Sequence, residues 1–114
     1  MYNTKYCKVE YLPSRKAILC SWKSFCKGND YRDVFRYATK LIDNFKPTIW
    51  ITDARNGFKS NEQDSKWLLE EFVPKVIDSS IKKVVFIVDK KSPAYSEILE
   101  QKKALSRYFN VEVI

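Results

Sequence analysis

Residues 7–12, Cys-Lys-Val-Glu-Tyr-Leu, alternate apolar and polar side chains, the two-residue period of a half-exposed strand. Pro13 to Lys16 read as a turn, and residues 17–22, Ala-Ile-Leu-Cys-Ser-Trp, as a second strand. The short connection cannot carry a parallel crossover, so the pair is a hairpin. After Lys27 and Gly28 the period lengthens. Val34, Ala38, Leu41, Ile42 and Phe45 fall on one stripe of a helix, with Asn29 or Asp30 as its cap and Lys46-Pro47 as its stop. Residues 48–52 form a third strand, with Ile49 and Ile51 on one face and Thr48, Trp50 and Thr52 on the other. Ser60-Asn61-Glu62-Gln63 reads as a capping box. It opens a second helix that turns Trp67, Leu68, Phe72, Val76 and Ile77 inward, with a kink or break expected at Pro74. Residues 84–88 are apolar on both faces, as a central strand is. Ser92 with Pro93 behind it starts a third helix, whose buried face is Ile98, Leu99, Leu105, Tyr108 and Phe109. Residues 111–114 end the pattern as a short strand.

The order β-β-α-β-α-β-α-β predicts one α/β domain over residues 1–114. Its sheet is mixed and mostly parallel, of about five strands, with helices packed on it. Composition agrees: 114 residues, 45% hydrophobic and 31% charged, suit a single domain with a core of its own. No apolar run reaches the ~18 residues of a membrane span. The first residues lack an apolar leader, so a cytoplasmic protein is expected. The three cysteines, Cys7, Cys20 and Cys26, are an odd number without CxxC spacing and read as buried free thiols. There is no histidine, which disfavours a metal site and removes the commonest general base near neutral pH. No cofactor is indicated. The net charge of +7 is spread over short clusters such as Lys82-Lys83 and Lys102-Lys103. That pattern favours a solvated basic surface over a nucleic-acid footprint.

Ligands of open α/β sheets gather at the carboxyl ends of the parallel strands. Three segments meet there: Trp22-Lys23-Ser24, Asp53-Ala54-Arg55-Asn56 and Asp89-Lys90-Lys91-Ser92. Two lead into helix N-termini, which favour anions, and Lys90, Lys91 and Ser92 are candidate anion contacts. Ordinary turn and cap chemistry explains the same residues one by one. Asp53 and Asp89 begin turns, Asn56-Gly57 supplies left-handed backbone, and Ser60 and Ser92 are caps. No phosphate loop, dinucleotide fingerprint or nucleophile elbow is present. Trp22 and Trp50 are a candidate interface if no helix covers their face of the sheet.

The stretch Lys46-Pro47, then 49–55 (Ile-Trp-Ile-Thr-Asp-Ala-Arg), Glu62-Gln63-Asp64, Trp67-Leu68, Glu71 to Pro74 and 81–88 resembles the SpoIIAA-like group. These are small bacterial proteins related to STAS domains and, by fold, to the CRAL-TRIO domain. The resemblance implies a sheet with its helices largely on one side and a binding or regulatory role. Some STAS relatives switch partners through a phosphorylated serine in an Asp-Ser-Ser-Gly-like motif. Here Phe58-Lys59-Ser60-Asn61 lacks that motif, so the role does not carry to Ser60. Similar proteins continue beyond the last strand into a short helix, which is not part of this sequence, and one compact core of this size leaves little room for an enclosed acyl pocket.

The expectation is therefore a small cytoplasmic, non-enzymatic binding or regulatory module. It would engage a protein partner or a small ligand through Asp53, Arg55, Asn56 and Ser60, with a homodimer as one form of partner. One alternative is an enzyme or anionic-ligand protein using Asp53, Arg55, Asp89 and Lys90. Another is a basic nucleic-acid-binding protein.

Overall fold

In the computed structural model, residues 2–56 and 61–114 are described. The strands are β1 (Tyr2–Asn3), β2 (Cys7–Leu12), β3 (Ala17–Trp22), β4 (Ile49–Asp53), β5 (Lys83–Ile87) and β6 (Asn110–Val113). They lie side by side in chain order, in a single sheet of six among the described residues. The β1–β2 and β2–β3 pairs are antiparallel, and β3–β4, β4–β5 and β5–β6 are parallel. The mixed, mostly parallel α/β sheet is thus present, with one strand more than the pattern predicts. The addition is β1, two residues long, too short for its alternation to register.

Helix α1 (Asn29–Phe45) crosses from β3 to β4. Its cap is Gly28 at φ 63°, not Asn29 or Asp30, which lie inside the helix. Val34, Ala38, Leu41 and Ile42 are buried as the stripe requires, joined by Tyr31 and Phe35. Phe45 is 53% exposed and stacks on Tyr11 with ring centroids 4.5 Å apart. The second helical rod joins β4 to β5 as α2 (Glu62–Trp67), a π-helical stretch (Leu68–Phe72) and α3 (Val73–Ile77). Its cap is Asn61, whose side chain accepts from the Asp64 N–H at 2.8 Å. The cap expected at Ser60, and Gly57 of the expected turn, lie outside the described residues. Helix α4 (Tyr95–Leu105) joins β5 to β6. It begins three residues after Ser92, whose hydroxyl accepts from the Ala94 N–H at 3.2 Å. Of its expected inner face, Ile98 and Phe109 are buried, whereas Leu99 and Tyr108 are 41% and 54% exposed.

Each crossover steps to the next strand in the same direction, so crossovers of one hand place all the helices on one face. The packed core shows this. It joins Val9, Cys20, Trp50 and Phe86 of the sheet to Phe35, Phe72 and Ile98 of the helices. Leu19, Ile51 and Val85, which alternate with these along β3, β4 and β5, belong neither to that core nor to the residues resting on it. Among the described residues, the helices pack on one sheet face, and the other has no helical cover.

Candidate functional site

At the carboxyl edge of the sheet, the charges expected to form a site are used locally. The Asp53 carboxylate accepts from the Arg55 backbone N–H at 3.1 Å and holds the Arg55 guanidinium through Nε at 3.0 Å and Nη2 at 2.8 Å. The Arg55 side chain is 63% exposed and lies against its own turn. The guanidinium hydrogen bonds lower the Asp53 carboxyl below its ordinary value, against the opposing effect of burial. Asn56 follows in the turn, exposed. Asp89 makes a similar turn, accepting from the Lys91 N–H at 2.9 Å. Lys90 and Lys91 are exposed, and Ser92 is engaged with Ala94. The two aspartates therefore act as the turn residues that the simpler reading makes them.

The anion position at the start of α1 is filled by the chain itself. Asp64, 1% exposed, accepts from the Gly28 N–H at 2.9 Å and from Arg32 Nε at 3.1 Å. An anion at a helix N-terminus meets unpaired N–H groups and the positive end of the dipole, and here that anion comes from the start of α2. Trp67, one turn along, has the Arg32 and Arg36 guanidinium groups over its ring at 5.4 and 5.6 Å. The sequence pattern gives Gly28, Arg32 and Asp64 no site role, although Asp64 belongs to the Glu62-Gln63-Asp64 stretch that carries the family resemblance. Asp64 looks there like any acid in a first helical turn, and a contact across 36 residues leaves no spacing to detect.

Trp22 and Trp50 are 3% and 6% exposed, because the helices cover their face. The condition for an exposed tryptophan interface is not met. Trp50 donates its indole N–H to the Thr52 hydroxyl at 2.8 Å and packs on Phe72 with centroids 5.5 Å apart. The three cysteines are free and buried, as expected, with the Cys7 and Cys20 sulfurs 3.4 Å apart. Among the described residues, no group of three or more histidine, cysteine, aspartate or glutamate side chains could hold a metal, and no helix is long and apolar enough to cross a membrane.

Concave space lies elsewhere, between the π-helical stretch and α4. An outer groove of about 270 Å³ runs between Leu69 and Val73 on one side and Ala104 and Leu105 on the other, with Glu97 and Glu100 at its rim. An inner cavity of about 60 Å³ reaches the sheet, bounded by Phe35, Trp50, Thr52 and Phe72. Leu68, Val73, Gln101 and Leu105 line both. Together the two spaces sit near the lower end of the ~300–1,000 Å³ typical of small-ligand sites. The only sequence signals are Leu69, apolar but off the buried stripe and 54% exposed, and the small Ala104.

In comparisons with known proteins, no family model, curated protein or solved structure matches this chain.

Proposed function

We propose that the chain is a small non-catalytic binding module that takes a small, mainly apolar ligand in the cleft between the π-helical stretch and α4. The observation that carries this reading is the adjacency of the groove and the cavity, which share Leu68, Val73, Gln101 and Leu105 and place Phe35, Trp50 and Phe72 on the far side of the cavity from the groove's own residues. Such an aromatic wall gains dispersion and ring contacts from a planar or aliphatic tip. The Thr52 hydroxyl already accepts from Trp50, so its own proton is the one to donate. That favours a ligand with a single acceptor at its buried end. Glu97 and Glu100 at the rim favour a neutral or cationic outer end over a carboxylate. A binding role is also what the SpoIIAA-like resemblance implies, though the cleft reading does not depend on it. The 53–60 loop, the expected contact surface, is not the part this reading uses.

A neutral fluorescent probe of about three fused rings tests it. Binding to the wild type should raise its emission. Ala104→Trp, at an exposed position in the groove wall, should weaken binding tenfold or more while leaving the far-UV spectrum unchanged. Equal binding by the wild type and this variant would sink the assignment.

A further inference from the structure

The uncovered sheet face is a second apolar surface, and strand pairing fixes its layout. One row reads Glu10, Leu19, Ile51, Val85, Glu112; the row below reads Leu12, Ala17, Ile49, Lys83, Asn110; the row above reads Lys8, Ser21, Asp53, Ile87. Ile114, 70% exposed, extends the upper row, since its N–H donates to Phe86 O and its carbonyl accepts from Val88 N–H. Ala17 and Val85 are 0% and 8% exposed without belonging to the helix-side core. Their aliphatic neighbours in the sheet flank them, and among the described residues they lie outside the core that the helices pack against.

The charges on this face balance. Lys8 pairs with Glu10 at 3.2 Å, Lys83 with Glu112 at 3.3 Å, and Asp53 with Arg55 at 2.8 Å. The chain as a whole carries +7. A face built for a nucleic acid or an anionic membrane would concentrate that excess, and this one cancels it. Balance is what a positively charged molecule needs in order to meet its own copy without repulsion. An isologous contact places one patch against itself. Here the aliphatic centre meets an aliphatic centre, and both flanks carry both signs.

We infer that this face is the interface of a homodimer, two copies stacked sheet on sheet. Each face spans roughly 20 Å in both directions from strand spacing and rise. Closing two of them buries on the order of 1,000 Å², about the threshold of a specific interface. Sheets stacked this way sit about 10 Å apart and interdigitate their inward side chains. Leu19, Ile51 and Val85 of the two copies then form a second, intermolecular core.

Sedimentation velocity across micromolar to millimolar concentration tests this. The wild type should reach twice the chain mass of 13.5 kDa, and Ile51→Lys, which places an unpaired charge at the centre, should remain at the single-chain mass. If Ile51→Lys does not fold, Leu19→Ser decides by the same shift. In a mixture of labelled and unlabelled wild type, isotope-filtered NOEs should connect the methyl groups of Leu19, Ile51 and Val85 between copies. A wild type that stays monomeric throughout overturns the inference, as does a dimer indifferent to these substitutions or NOEs confined to the helical face. So does a monomer that uses this face to bind phosphatidylglycerol vesicles. Ala104→Trp should leave the dimer intact, so loss of probe binding and loss of dimer are separable.

Discussion

Asp64 is the side chain on which the most local order depends. Its carboxylate is the only buried charge among the described residues, and it joins the starts of two helices by serving the Gly28 N–H and Arg32 together. Asp64→Ala would leave the partly buried Gly28 N–H unserved and take from Arg32 its carboxylate partner. Breaking a buried pair costs ~3–5 kcal/mol; with the Arg32 side chain 29% exposed, water repays part of that, and a loss of about 2–3 kcal/mol is expected. Asp64→Asn keeps an acceptor for one of the two donors and should lose about half as much. Urea unfolding measures both, and equal losses would show that the charge, not the hydrogen bond to Gly28, is what counts. At this scale the sequence was only partly legible. Asp53 and Asp89 could be placed at strand ends and given turn roles, since a turn is a matter of neighbours. Asp64 could not be given its role, because its partners are set by how α1 and α2 come together.

At the scale of the element, the second helical rod absorbs a proline without breaking. Pro74 has no N–H and its ring crowds the carbonyl four residues back. The chain responds with a wider turn, in which the Val73 N–H bonds Leu68 O, five residues back. Packing asks for the same turn. Leu68, Phe72 and Val76 are buried at intervals of four, a spacing that drifts about 40° per step on an ordinary α-helix, and the π turn takes up the difference. Pro74→Ala should therefore change stability by less than about 1 kcal/mol, rather than the ~3 kcal/mol that relief of an interior proline would release. Denaturant midpoints give the number, and a gain of the larger size would mean the proline alone imposes the π turn. The position of the irregularity was readable from Pro74, but its form was not, because that depends on contacts with the sheet. Helix starts shifted for a similar reason. Gly28 adopts a left-handed cap that no side-chain preference announces.

For the whole molecule, the β2–β3 hairpin and the mixed, mostly parallel α/β plan followed from the alternating periods in the sequence; the side-by-side order of the strands did not. Nor did the choice of the face that the helices cover. Both faces of β4 and β5 carry large apolar side chains, and the open face proved to be the one with Ile49 and Ile51, not the one with Trp50. Ionisation gives a further property of the whole. Without histidine, no side chain of ordinary pKa titrates between about pH 5 and 8. On the alkaline side, burial and the bond to Cys7 push the Cys20 thiol well above its ordinary value, and burial pushes Cys26 up to about 11. The folded state therefore holds these protons while the unfolded chain releases them near the ordinary value of 9.0. On the acid side, the lowered carboxyl of Asp53 contributes stability above its ordinary value of 3.8 that is lost as pH falls through the lowered one. The expected profile of melting temperature against pH is a plateau from about 5 to 8 that declines from pH 9.0 toward about 11. A continued rise above pH 9 would contradict it. The sheet order has a last consequence, for synthesis on the ribosome. Every strand from β2 onward is laid beside the one made just before it, so none has to wait for a later segment to supply its first neighbour or be pried open to admit one. The sheet can grow outward from its β1 edge at the pace of translation, with each new strand becoming the other edge.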